Sequence, residues 1–285
     1  KLKAAFTKVV AGIGAAAVGK KILDLGQSAF QTYSDFEQLS GGVAKLYGNM
    51  GMSVEQYAAQ QNKSISDVTA AWQRNESAQS TVMANAQQAF KTCGMSANAY
   101  MEQATSFSAA LINSLGGDTQ KAADMTDVAM RAMSDNINTF GSSAEDVSNA
   151  FNGFAKQNYT MLDNLKLGYG GTKEEMQRLI DDANEWGKAN GEASNLSIDS
   201  FADVVQAVQQ IQEKQQIAGT TSREAATTIE GSMNSAKAAW TNLLTELGKS
   251  DGNIKAAVQQ LFDAGVQVLK LSLIHISEPT RPISI

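Results

Sequence analysis

The chain has 285 residues, 43% hydrophobic but only 7% aromatic, and both prolines, Pro279 and Pro282, fall among the last seven. A proline-free run of that length strongly favours helices, packed through Ala, Leu, Val and Met, over a turn-rich β fold. A net charge of −6 lacks the clustered Lys and Arg that neutralise a phosphate backbone, so no specific nucleic-acid binding is expected.

The expected fold is all-α, a multi-helix elongated or bundled assembly with glycine-rich breaks and no sheet, long enough to bury a sizeable core. Residues 1–50 form the first expected region. The sequence opens on Lys1 rather than Met, as a piece of a longer reading frame or a processed chain would. Residues 9–19, VVAGIGAAAVG, are uncharged between Lys8 and Lys20. A bilayer crossing takes about 20 apolar residues, so this run is too short to span one. Gly12, Ala16 and Gly19 would let a partner helix approach closely. A signal peptide flanked by Lys1, Lys3 and Lys8 is the weaker reading, because Lys20 and Lys21 follow the run directly. From Leu23 a helix is expected through Phe30, Tyr33 and Phe36 towards Leu46, interrupted at Gly41 and Gly42.

Residues 51–190 are expected as a helical domain. Gly51-Met52-Ser53 and Gly94-Met95-Ser96 share a plan, each with a tyrosine one turn later, Tyr57 and Tyr100. Ser143 and Ser197 begin helices in a related way. The spacings of 43, 47 and 54 residues between these serines are too uneven for a solenoid, so this is repeated cap chemistry. Ser64 with Asp67 opens a helix through Val68, Trp72, Val82 and Phe90, and Ser96 opens one through Phe107 and Leu111 to Gly116-Gly117. Asp118 starts the next, with Met125, Val128, Ala129 and Met133 inward, and Ser142 with Glu145 caps another through Val147, Phe151 and Phe154. Asp118, Asp124, Asp127 and Asp135 are scattered over helix starts and faces rather than clustered on a tight loop, so they read as solvated surface and not as metal ligands. Cys93 has no cysteine to pair with and reads as a small buried or half-buried residue.

The chain is organised around KQNYTMLDNLKLGYGGTKEEMQRLIDD, residues 156–182. Gly168, Gly170 and Gly171 free the backbone to turn. Thr172 then reads as an N-cap with Glu175 completing a capping box, followed by a helix with Met176, Leu179, Ile180 and Ala183 on one face. A glycine loop before a helix can cradle phosphate, but Gly-Gly-Thr-Lys-Glu-Glu puts two carboxylates in the first turn and is not the P-loop order.

In the third expected region, residues 191–270, the polar loop 190–195 marks a boundary and Ser197 opens a helix through Phe201, Val204, Val205, Val208 and Ile211. A single helix over 222–247 carries Ala225, Ile229, Met233, Ala236, Trp240, Leu243, Leu244 and Leu247 along one stripe, the pattern of a core or partner interface. Gly248 stops it, and a last helix spans 254–270. Leu25 and Phe36, with Ile229, Met233, Ala236, Trp240 and Leu244, are the candidate interface residues.

Four blocks carry a resemblance: FEQLSGGVAKLYGN at 36–49, TSFSAALINSLGGDT at 105–119, QNYTMLDNLKLGYGGTKEEMQRLIDDA at 157–183 and TTSREAATTIEGSMNSAKAAWTNLLTEL at 220–247. In this order they resemble tape measure proteins of long-tailed phages and prophages, chiefly of Gram-positive hosts. The resemblance implies a structural protein, made in the host cytoplasm and carried in the virion. There it would lie inside the tail tube in several copies, set tail length during tube polymerisation and leave when DNA is ejected. Its implied partners are the tail tube protein, tail assembly chaperones and further copies of itself. The host membrane is a possible contact too, and the alternative reading is a membrane-active helical protein at the host cell envelope, resting on residues 9–19.

The tail changes character: LSLIHISEPTR, residues 271–281, resembles the in-frame translation of a transposase-type sequencing adapter, which implies that residues 271–285 are not native and that the protein itself is longer. His275, the one histidine, leaves with it. What remains pairs no nucleophile with a base, so no enzyme, catalytic residue, cofactor or metal is expected in this segment.

Overall fold

A computed structural model of the chain describes residues 15–191 and 194–277, with side chains from 24 to 272 apart from Ile229. The apolar run at 9–19 lies outside the described side chains. Eleven α-helices and one 3-10 turn follow one another without a strand among the described residues, an all-α fold.

The first helix, α1 (Ala15–Leu46), passes through Gly41 and Gly42 unbroken, which corrects the expected interruption. Neither glycine has a positive φ, and a Cβ at Gly42 would make ordinary contact with Thr105 Cγ2 at 3.7 Å. A helical glycine costs only about 1 kcal/mol against alanine, and burial of Val43 in the core outweighs it.

The middle helices are α2 (Val54–Gln61), α3 (Ile65–Thr92), α4 (Ala97–Ser114), α5 (Thr119–Phe140), α6 (Ala144–Phe154), α7 (Lys173–Ala189) and α8 (Phe201–Lys214). Each starts on a side-chain oxygen that accepts the N–H three residues on: Ser53, Ser64, Ser96, Asp118, Ser143, Thr172 and Ser200. Two of these correct the expected starts. Ser143, not Ser142, caps α6 by accepting from Asp146 at 3.0 Å. Ser200, not Ser197, caps α8, because the Ser197 hydroxyl is taken by Asp199 N–H in a local turn. A serine one or three positions out of frame has the right chemistry and the wrong helical phase.

One buried cluster runs from Val43 to Ile217, joining the end of α1, α3 to α8 and the connection before α7. The boundaries expected after residues 50 and 190 therefore do not divide the core. Ala183 and Ile198, on either side of the 190–195 loop, belong to the same cluster. Asn184 pins that loop, accepting from Ser194 Oγ at 2.9 Å and Leu196 N at 2.7 Å. A polar glycine loop joins two packed helices as readily as it separates two domains.

Beyond the cluster come α9 (Thr220–Thr227), α10 (Ile229–Gly248) and α11 (Ile254–Ser277). The single helix expected over 222–247 is split at Thr228, whose extended backbone ends α9 and whose hydroxyl caps α10 by accepting from Gly231 N at 3.0 Å. Gly231 fits the bend because a Cβ there would stand 2.5 Å from Glu224 O. The helix expected to finish at 270 continues to Ser277, through a stretch that holds no proline before Pro279.

Candidate interaction site

The central stretch folds inward. A 3-10 turn, Leu162–Leu165, ends at Lys166 in the left-handed region, and Tyr159, Leu162, Leu165, Leu167 and Tyr169 are all buried. An irregular segment in a core must find partners for its carbonyls. Asn136 donates to Leu165 O at 2.6 Å, Gln215 to Leu167 O at 2.9 Å and Arg178 to Gly168 O at 3.0 Å. The Tyr159 hydroxyl donates to Ile198 O at 2.9 Å, tying the stretch to the approach to α8.

The three glycines have different roles. Gly168 sits at φ +91°, and a Cβ on Gly171 would lie 2.3 Å from Thr160 O, a backbone atom that cannot move aside cheaply. Gly170 has neither constraint. Thr172 caps α7 through Glu175 N at 3.2 Å, but the reciprocal half of the expected capping box is absent. The Glu175 carboxylate reaches past Thr172 to Gly170 N at 3.0 Å and pairs with Arg178, and these two partners, Arg178 first, lower its pKa. An anion would find that amide already occupied, so the loop is architecture.

Arg178 also stacks on Tyr169, 4.4 Å from the ring centroid, while the Tyr169 hydroxyl donates to Asp182 at 2.6 Å. Burial and then Asp182 raise the pKa of that hydroxyl. Cys93 is buried, and burial pushes its thiol up to about 11, leaving it protonated and inert at neutral pH.

Two aspartates correct the solvated-surface reading. Asp127 accepts from Tyr100 Oη at 3.2 Å and pairs with Arg131 at 2.7 Å. Asp135 is only 4% exposed and accepts Gly219 N at 2.6 Å and Thr221 N at 2.8 Å. It caps α9, whose own N-cap, Gly219, has no side chain to do so. The signal for this in sequence is indirect: a helix start with no Ser, Thr, Asp or Asn at its N-cap.

Of the candidate interface residues, Met233 and Trp240 are each 44% exposed on α10, and Leu25 is exposed on α1. Ala236 is half-buried, and so is Phe36, under Lys249 Nζ at 4.0 Å from its ring. Leu244 is a correction, buried at 8% although helical period places it on the same face as Met233 and Trp240. The side chain of Ile229 is outside the described residues. Sequence reasoning missed the outward apolar residues of α11, Ile254, Phe262 and Leu269, although their spacing places them near one face.

Comparison with protein-family models, curated proteins and solved structures returns no match. Among the described residues no helix is long and apolar enough to cross a membrane, and no three His, Cys, Asp or Glu side chains gather as a metal site. What the surface offers is apolar contact. On α10 the large side chains Met233, Trp240 and Leu247 recur every seven residues and point outward, while Ser232, Ser235, Asn242 and Thr245 are buried.

Proposed function

We propose that this chain is a segment of a phage tail tape measure protein with a structural and assembly role. The observation that carries the reading is the run of four family-like blocks, in order, over residues 36–247. Its support is architectural. The blocks at 36–49 and 105–119 end on Asn49 and Thr119, and both side chains bond Asn75, at 2.9 and 2.8 Å. The block at 157–183 fills the core rather than presenting a reactive group. The segment is a folded, jointed region beside the measuring part, and the outward residues of α1 and α10 are its contact faces for the tail tube, assembly chaperones or further copies.

A straight helix over residues 36–247 would measure about 320 Å at ~1.5 Å per residue. A folded region contributes far less to a ruler. The test is an in-frame deletion of this segment from the complete gene in its phage or prophage, with tail-length microscopy and mass spectrometry of purified tails. Peptides of this chain in parental tails, with defective or only slightly shortened tails in the deletion, are expected. Their absence from purified tails overturns the reading.

A further inference from the structure

The contact between α9–α11 and the rest of the fold is built unlike the main core. The main buried cluster stops at Ile217, and among the described residues a second, small cluster joins Phe90 of α3 to Ala238, Ala239 and Ala264, with Ala236 and Leu261 at its edge. Alanine faces leave room. Cavities of about 290, 240 and 330 Å³ lie along the seam, reached respectively by Gly219 and Ser222, by Thr221 and Gly231, and by Ala226 and Ser235. The hydroxyls of Thr221 and Ser235 are buried there without hydrogen-bond partners. Such a seam forfeits both dispersion contacts and polar satisfaction.

The arm itself is close-knit. A Cβ on Gly231 would meet Glu224 O, and one on Gly252 would overlap Glu246 O, so α9 meets α10, and the turn before α11 meets the end of α10, at backbone contact. On its other flank α10 stays close to α1, where a Cβ on Gly248 would stand 2.4 Å from Tyr33 Cβ. Across the seam the hydrogen bonds among the described residues include Asp135 on Gly219 and Thr221, Asn138 on Glu224 at 2.6 Å, and Ala97 N on Asn242 at 2.9 Å. The joint between α8 and α9 holds two left-handed residues, Gln216 at φ +60° and Gly219 at φ +78°.

We propose that α9–α11 opens from α3, α4 and α5 as one body, turning at the Gln216–Gly219 joint and along α1, with Asp135 as the latch. Well-packed units separate along their loosest seam before they unfold. The chain carries its own reporter, because Cys93, the sole cysteine, is 5% exposed and lines the cavity beneath Thr221 and Gly231.

The experiment labels Cys93 of the full chain with a maleimide across urea concentrations below the unfolding transition. Opening of the seam exposes little surface, so the labelling rate should rise with urea at well under half the slope of equilibrium unfolding. Asp135→Asn should speed labelling in the absence of urea by about tenfold. Leu179→Ala, a cavity in the main core, should leave that zero-urea rate within about twofold while lowering global stability. A parental labelling slope equal to that of global unfolding overturns the proposal. So does an unchanged rate in Asp135→Asn.

Discussion

The Tyr47 hydroxyl stands 2.6 Å from Thr126 Oγ1, 79 positions along the chain, in a fully buried contact between the end of α1 and the middle of α5. Thr126 gives its own proton to Ala122 O at 2.7 Å, so Tyr47 is the donor. Nearby Ser108 likewise donates to its own helix, at Ala104 O.

Tyr47→Phe therefore removes a donor without stranding one, and should cost about 1 kcal/mol. Tyr47→Ala adds a ring-sized cavity and should cost about 3–5 kcal/mol. Urea unfolding of the two variants measures the separation, and equal losses would place the energy in the hydroxyl rather than the ring.

Gly170 and Gly171 are adjacent and should respond very unequally to the same substitution. Gly171→Ala drives a Cβ into Thr160 O and should destabilise by more than about 2 kcal/mol, or displace the loop. Gly170→Ala meets only Glu175 Cγ, at 3.5 Å, and should lie within about 0.5 kcal/mol of the parent. Thermal and urea unfolding check both.

The two serines before α6 separate in the same way. Ser143→Ala should lose about 1 kcal/mol with the cap on Asp146 N, whereas Ser142→Ala loses only a long contact of 3.5 Å with Asn164 O and should lose little.

Glu175 has a lowered pKa in the fold, through Arg178 and then Gly170 N–H. A lowered folded value means that its stabilisation is fully present above the ordinary value of 4.5 and is lost as pH falls through the folded one. Stability measured from pH 6 down to pH 3 should fall less steeply in Glu175→Gln than in the parent. An identical acid slope would show that the carboxylate is not held by these partners.

Trp240→Gln should change unfolding free energy by less than about 0.5 kcal/mol, since the ring is 44% exposed, while Leu244→Gln, one turn on, should cost several times more. Sedimentation of Trp240→Gln beside the parent should show less self-association if the outward stripe is sticky.

Most of the helices and most of their starts are legible in the chain alone. Helical period and a serine, threonine or aspartate at the N-cap are local signals, satisfied within one turn of chain, and the absence of proline before residue 279 removes the strongest breaker. The chain alone also marks Gly168 to Thr172 as a turn into a helix. What each feature serves depends on packing over long sequence distances. Asp135 became a cap because α5 delivers it to a helix start 84 residues later, and Gly171 became obligatory because Thr160 O comes to rest against it. The same holds for α10, whose apolar stripe looks inward in a helical wheel yet faces solvent over Trp240, since the side that meets α3 and α4 is the one carrying Ala238, Ala239 and Asn242. A helical period fixes which residues share a face; which face is covered depends on the partner, and that is a property of packing over long sequence distances.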